Sequence, residues 1–279
     1  MSSQRRFIQC DVFTSTPTKG NALAVIVDAE GMSDADMASF ARWTNLAETT
    51  FLFPPEHPDA DYKVRIFTPT REMPFAGHPT LGSCAVWLHA GGAPASVGLV
   101  RQECAIGLVD IDLTGARPAF VAPPTTIEAL PEENANAIIE RLDLNESKMA
   151  GTALLNNGPV WQVIELASAT DVLSVDSSRV RWPEYKAIGL IGKHDGAHEC
   201  DYEVRMLAPS SGMSEDPITG SLNSALAHWL DSQGRLEDNL LIAQGTSIDR
   251  HGRVYISNID NKILIGGETH ILVQGSVTI

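Results

Sequence analysis

Two short stretches carry residue types that can grip an acid group and move a proton beside it. The first is Phe67-Thr-Pro-Thr-Arg-Glu-Met-Pro-Phe-Ala-Gly-His-Pro-Thr80. It ends a strand, turns at Gly and Pro, and opens a helix. The second, Leu207-Ala-Pro-Ser-Ser-Gly-Met-Ser-Glu-Asp-Pro-Ile-Thr-Gly-Ser221, follows the same plan. A helix N-terminus presents unsatisfied amide donors and a partial positive charge, so it attracts anions. Gly77 and Gly220 let the backbone come close to a ligand. Pro79 suits a first helical position and Ser221 can cap. Two ordinary helix caps would look much the same. Glycine kept in both copies favours a pair of cradles, facing each other across one site, for a small carboxylate.

Three side chains near these turns can do chemistry. His78 suits a hydrogen-bond donor, a base or a cap. Asp216 precedes Pro217, where a turn carboxylate is often simply solvated. Glu48 stands before Thr49-Thr50-Phe51, at the start of an apolar strand. Partial desolvation there would favour a proton shuttle over a solvated surface charge. Other groups are weaker candidates. His194 and His198 are separated by Asp195-Gly196-Ala197, which argues against one helical face and a metal site. Cys84 lies inside the first helix and suits the core. Arg65 and Arg205 sit at matching strand positions, where structural pairing of the two halves outweighs anion binding. There is no phosphate-binding glycine loop with a downstream acid, and no Gly-x-Ser-x-Gly.

The positioning elements are themselves duplicated. Asp61-Tyr-Lys-Val-Arg-Ile-Phe-Thr-Pro69 matches Asp201-Tyr-Glu-Val-Arg-Met-Leu-Ala-Pro209 at an offset of 140. Pro74-Phe-Ala-Gly-His78 then matches Pro217-Ile-Thr-Gly-Ser221 at an offset of 143. Both copies run into a helix ending at Trp87-Leu88 or Trp229-Leu230, and Val100-Arg-Gln102 corresponds to Ile242-Ala-Gln244. The period is too long for a solenoid, so each copy is a half-domain of many strands with a main helix, an α+β arrangement. Strands are expected at Phe7–Phe13, Ala22–Val27, Leu46–Phe53, Tyr62–Phe67, Val97–Gln102 and Gly107–Leu113. Ser33-Asp-Ala-Asp36 opens a helix with Met37, Phe40, Ala41 and Thr44 on one face and Trp43 beside them. A helix is expected from Pro79 to His89. Gly115–Thr126, rich in proline, reads as the extended crossing between halves, followed by a helix with Pro131 at its first position. The later strands are Val160–Leu166, Ala187–Ile191, Leu240–Gln244, Val254–Ser257, Ile263–Ile265 and Ile271–Ile279, with a polar loop at Gly192–Glu199.

The chain has 279 residues, 43% of them hydrophobic, and a formal charge of −15. That length and composition allow real cores. The acidic balance makes nucleic acid and anionic membrane poor partners. Any carboxylate site must supply its own local positive potential. The N-terminal residues lack the apolar core of a signal peptide. Thr80–Val100 carries no formal charge, but its glycines and Pro94 argue against a membrane span. The four cysteines, Cys10, Cys84, Cys104 and Cys200, show no paired spacing, which fits a reduced cytoplasmic protein.

As a set, Asp11-Val-Phe-Thr, Gly20-Asn21, Asn45-Leu-Ala-Glu-Thr-Thr-Phe51, Phe67-Thr-Pro, Gly77-His-Pro-Thr80 and Glu215-Asp-Pro-Ile-Thr-Gly-Ser221 resemble the phenazine-biosynthesis PhzF-like isomerase family, in order and over nearly the whole chain. The resemblance implies the diaminopimelate-epimerase-like fold: two pseudo-symmetric α/β domains, each a barrel-like sheet around a central helix, with the active site in the cleft between. The expected domains are residues 1–118, with the strand 266–279 returning to them, and 119–265. It also implies a homodimer and no cofactor. By motif, Glu48 would be the acid/base that takes and returns the proton, and His78 and Asp216 would orient substrate and assist. The amides around Gly77, His78, Gly220 and Ser221 would hold the carboxylate. The epimerase branch carries a cysteine before each key glycine. Here those positions are Ala76 and Thr219, which leaves no two-thiol racemisation and points to one carboxylic acid working on one face. The expected activity is cofactor-independent isomerisation of a small cyclic amino or hydroxy carboxylate, similar to trans-2,3-dihydro-3-hydroxyanthranilate isomerase. Alternatives are a non-catalytic carboxylate-binding relative, or an epimerase or lyase on another small acid.

Overall fold

A computed structural model describes residues 3–179, 187–208, 214–236 and 239–279. Its internal contacts divide the chain into two units, Met1–Val121 with Gly266–Ile279, and Ala122–Ile265.

In the first unit, alternating side chains build β1 (Gln4–Val12), in which Gln4 and Arg6 are exposed and the end is buried. It pairs antiparallel with β2 (Asn21–Ile26). Helix α1 (Asp34–Thr44) follows, with Ser33 accepting from the Asp36 amide and Asn45 closing it in the left-handed region at φ 53°. Met37, Phe40 and Ala41 are buried as the spacing requires, but Trp43 is 76% exposed and stacks on Phe40 with centroids 5.8 Å apart. Strand β3 (Glu48–Phe53) lies parallel to β2, and β4 (Tyr62–Phe67) runs antiparallel to it. The two-residue β5 (Glu72–Met73) folds back on β4. Helix α2 (Gly77–His89) starts two residues before the expected point, so Pro79 is its third residue and Ala76 its N-cap. A proline fits any position of a first turn, because those amides have no intrahelical acceptor. Then come β6 (Leu99–Cys104), β7 (Gly107–Asp112) and β8 (Ala119–Val121).

The stretch expected to be a plain extended crossing thus contains a strand. Phe120 is fully buried against Phe75, with ring centroids 5.6 Å apart, and that burial organises the segment despite its prolines. The chain's last strand, β18 (Thr269–Thr278), pairs antiparallel with β1. The strand order in this unit is β18-β1-β2-β3-β4-β6-β7-β8. Strands from both ends of that sheet touch α2, so the sheet wraps around the helix. Gly82 lets α2 approach: a Cβ there would lie 2.5 Å from Leu23 Cδ2 and 2.9 Å from Val12 Cγ2.

The second unit repeats the order. It contains β9 (Thr126–Glu128), α3 (Glu132–Leu142), β10 (Met149–Asn156), β11 (Val160–Leu166), α4 (Ala169–Ser174), β12 (Ile188–Lys193) and β13 (Tyr202–Leu207). After these come β14 (Glu215–Asp216), α5 (Gly220–Ser232), β15 (Leu240–Gln244), β16 (Gly252–Ile259) and β17 (Lys262–Gly266). Pro131 is the residue before α3 rather than its first. Parallel pairs fall in matching places, β2 with β3 and β11 with β12, β4 with β6 and β13 with β15. Strand β10 and helix α4 had no clear pattern: β10 contains Ala, Gly and Thr rather than an apolar alternation, and α4 is six residues long. Residues 209–213 of the second turn lie outside the described residues, as does residue Pro209 of the second repeat.

The register corrects one detail of the repeat. The Asp61 carboxylate accepts from the Arg101 amide at 2.7 Å, and Asp201 accepts from the Leu241 amide at 2.7 Å. Accordingly Tyr62 lies opposite Gln102, while Tyr202 lies opposite Ile242. Gln102 and Gln244 are therefore two residues out of structural step. Among the described residues, no helix is long and apolar enough to cross a membrane.

Candidate active site

In the first unit the site is built on the buried first turn of α2. Gly77, His78, Pro79 and Thr80 are all buried. Thr80 Oγ1 donates back to the Ala76 carbonyl at 2.9 Å and receives Gln102 Nε2 at 3.1 Å. Tyr62 in turn donates to Gln102 Oε1 at 2.9 Å. These bonds hold the turn open at its N-terminal end, where helix geometry leaves the amides of Gly77 and His78 without intrahelical acceptors.

Glu48 is the first residue of β3 and reaches this turn. Its Oε2 lies 3.5 Å from His78 Nδ1, with 17% of its side chain exposed. The residues after it, Thr49, Thr50, Phe51 and Leu52, are buried, so the carboxyl stands where an apolar strand meets solvent. Burial pushes the His78 pKa down from 6.5 to about 3. The ring is therefore neutral near pH 7 and does not compete with a carboxyl for a proton. His78 Nδ1 also lies 3.4 Å from Asn21 Nδ2, and His78 Nε2 is buried with no hydrogen-bond partner among the described residues. A neutral imidazole beside a part-buried carboxyl at a helix N-terminus suits proton transfer next to a bound anion.

The second unit holds its turn by a different set of bonds. Thr219, not Ser221, precedes α5, and Ser221 is the helix's second residue. The expected cap is therefore not made. Gln244 braces the turn instead: its Oε1 accepts from the Thr219 amide at 3.0 Å and from Asn223 Nδ2 at 2.8 Å. Its Nε2 donates to Thr219 Oγ1 at 3.0 Å. Asn157 Nδ2 donates to the Ser221 carbonyl at 2.8 Å, and Trp161 Nε1 holds Asn157 from behind at 3.0 Å. Asp216 is not a solvated turn residue. It sits in β14, is buried, and accepts a hydrogen bond from Thr219 Oγ1. The amides of Gly220 and Ser221 are the open donors of this turn by helix geometry.

Glu48, His78 and Gly77 gather at one turn of the first unit. Asp216, Gly220 and Ser221 gather at the matching turn of the second. Sequence reasoning gave no role to Asn21, Gln244, Asn223 or Asn157, which act through side-chain amides that leave no spacing pattern. Arg65 and Arg205 pair locally, with Glu72 and Glu215 respectively. Cys84 is buried and its thiol pKa is pushed up to about 12 by burial, which makes it a core residue rather than a nucleophile. The His194 and His198 rings stack at 3.7 Å, and His194 Nε2 faces Glu203 Oε2 at 3.2 Å. Among the described residues, no group of three His, Cys, Asp or Glu side chains is arranged to hold a metal ion.

Known proteins resemble this chain throughout. The family model described as phenazine biosynthesis-like protein (PhzC-PhzF) matches residues 10–275. The antisense-enhancing sequence 1 protein of Schizosaccharomyces pombe is 34% identical, over 98% of this chain and 98% of its own. A trans-2,3-dihydro-3-hydroxyanthranilate isomerase of Pseudomonas fluorescens is 31% identical, over 88% of this chain and 87% of its own. The crystal structure of a PhzF-family phenazine biosynthesis protein from Bacillus anthracis superimposes with a TM-score of 0.82 at 18% identity, covering 99% of this chain and 100% of that one. That likeness establishes the diaminopimelate-epimerase-like α/β fold. With a neutral histidine and a carboxyl at the first turn of one helix, and the same architecture repeated in the second unit, the chain belongs to the phenazine biosynthesis-like PhzC-PhzF family and is an isomerase of that family.

Proposed function

We propose that the protein moves a proton between carbon atoms of a small cyclic amino or hydroxy carboxylate, using Glu48 as its single acid/base and no cofactor. The Glu48 carboxylate removes a proton from one ring carbon. The electron pair shifts into the adjacent unsaturated system. The Glu48 carboxylic acid then returns the proton to a second carbon on the same face, which restores the carboxylate and leaves an isomer of the substrate. His78 is neutral and orients the substrate. Asp216 assists, and the amides around Gly77, His78, Gly220 and Ser221 bind the substrate carboxylate. The substrate class follows the trans-2,3-dihydro-3-hydroxyanthranilate isomerases among its relatives. We also infer a homodimer of the reducing cytoplasm. The four cysteines are free and buried, which supports the reducing compartment.

The observation that carries this reading is the placement of Glu48 Oε2 within 3.5 Å of His78 Nδ1, beside the first turn of α2. The test incubates trans-2,3-dihydro-3-hydroxyanthranilate and a panel of small carboxylates with the protein in deuterated water, followed by NMR. We expect deuterium to enter a ring C–H position with the wild type. Glu48→Gln should lower that rate by about 10²–10⁴-fold, the usual contribution of a general acid/base. Equal exchange in both proteins, or tight binding with no exchange in either, would remove the assignment of Glu48.

A further inference from the structure

We propose that Asn21 is a positioning residue: its side-chain amide decides which ring nitrogen of His78 carries the proton, so that the imidazole presents Nε2–H to the bound substrate. The inference rests on the reading of Glu48 and His78 given above, and it concerns a residue to which that reading gives no part.

Asn21 is held where it can do this. It opens β2, opposite Val12 of β1, and is 2% exposed. The preceding amide, of Gly20, donates to Asp11 Oδ2 at 2.9 Å. A Cβ at Gly20 would lie 2.4 Å from the Val12 carbonyl oxygen and 2.8 Å from Asp11 Oδ1, so the backbone here is clamped against β1. From this position Asn21 Nδ2 faces His78 Nδ1 at 3.4 Å. An amide nitrogen only donates. Nδ1 must then accept with its lone pair, and a neutral imidazole that accepts at Nδ1 carries its one proton on Nε2.

Two contacts make this choice matter. Glu48 Oε2, 3.5 Å from the same Nδ1, would draw the proton to Nδ1 whenever the carboxyl is ionised. Asn21 opposes that pull. Once Glu48 has taken a proton, its O–H meets the Nδ1 lone pair and the contact becomes favourable. His78 Nε2, on the other side of the ring, is buried with no partner among the described residues. A buried N–H without an acceptor is unfavourable. An acceptor atom on the substrate that gains negative charge as its proton leaves would take up that donor, so the tautomer acts mainly on the chemical step.

The tautomer is read directly by long-range proton–nitrogen correlation NMR on histidine-labelled protein without substrate, with His78 assigned by the signals lost in His78→Gln. We expect Nε2–H in the wild type. Asn21→Asp puts an acceptor opposite Nδ1 and should switch the ring to Nδ1–H. Asn21→Leu leaves Glu48 as the nearer partner and should do the same, which covers the case in which Asn21→Asp does not fold. In either variant the deuterium-exchange kcat should fall roughly 10²–10³-fold, the cost of losing one aimed donor, with a much smaller change in KM. A wild-type ring protonated on Nδ1, variants that keep Nε2–H, or a switched tautomer with unchanged kcat would each overturn the proposal. Because the tautomer is read in the resting protein, it stands or falls separately from the effect of Glu48→Gln.

Discussion

Arg65 and Arg205 occupy the same place in the two copies and meet the same kind of partner, yet in very different surroundings. Arg65 forks onto Glu72 at 2.7 Å through both Nε and Nη2, and its Nη1 reaches Asp34 Oδ1 at 2.6 Å. Its side chain is 25% exposed and that of Asp34 is 81% exposed. Arg205 forks onto Glu215 at 3.0 and 2.7 Å, but both side chains are 1% exposed. Its Nη1 donates to the carbonyls of Val172 and Val175, at the end of α4. One strand position thus carries a solvated surface pair in the first copy and a buried, fully bonded charge in the second. The duplication preserved the partner while the cover over it changed.

Breaking the two pairs should therefore have unequal effects. Glu215→Ala leaves a guanidinium buried without its counter-charge and should cost about 3–5 kcal/mol. Glu72→Ala removes an exposed partner and should cost no more than about 1 kcal/mol. Urea unfolding of both variants checks this, and equal midpoints would erase the distinction. A second contrast lies in the helices. Gly82 of α2 corresponds to Ala225 of α5, since each is the sixth residue of its helix. A methyl at Gly82 meets Leu23, Val12 and Cys10 Sγ, the last at 3.1 Å. Gly82→Ala should thus destabilise by roughly 1–3 kcal/mol through overpacking, although alanine is the better helix former. Ala225→Gly should cost about 1–2 kcal/mol, the helix propensity difference plus a lost buried methyl contact.

A third contrast is in pH dependence. His78 and Ser221 are the second residues of matching helices, and only one of them titrates. The folded His78 has a pKa of about 3, depressed from 6.5 by burial. Between those values the unfolded chain binds more protons than the folded one, so this contribution is complete above about pH 6.5 and is lost as the pH falls. By pH 5 the loss is about 2 kcal/mol, at 1.36 kcal/mol per pH unit. His78→Gln should remove that slope while leaving the rest of the profile intact. Parallel stability profiles for the two proteins between pH 5 and 7.5 would mean that the ring is not buried neutral in the folded state.

The sequence was most readable where local chemistry decides structure. Ser33 caps α1 as its spacing requires, Asn45 ends that helix, and β4, β11 and β15 fall where their apolar patterns place them. It was less readable where burial overrides composition. Phe120 makes a strand of a proline-rich stretch. Asp216 is enclosed in β14 rather than solvated in a turn. Ser221, a good capping residue, lies inside the helix as its second residue, where its own amide is one of the open donors.

What the amino-acid order alone determined was the duplication, the two glycine turns and the chemical types gathered near them. Each of these is a local property, written in spacing and residue identity. The contact of Glu48 with His78, the amide of Asn21 facing that ring, and the burial that keeps it neutral were decided only by the tertiary structure. Glu48 and His78 stand on a strand and a helix thirty residues apart, and a histidine's charge depends on how much water the surrounding strands leave it.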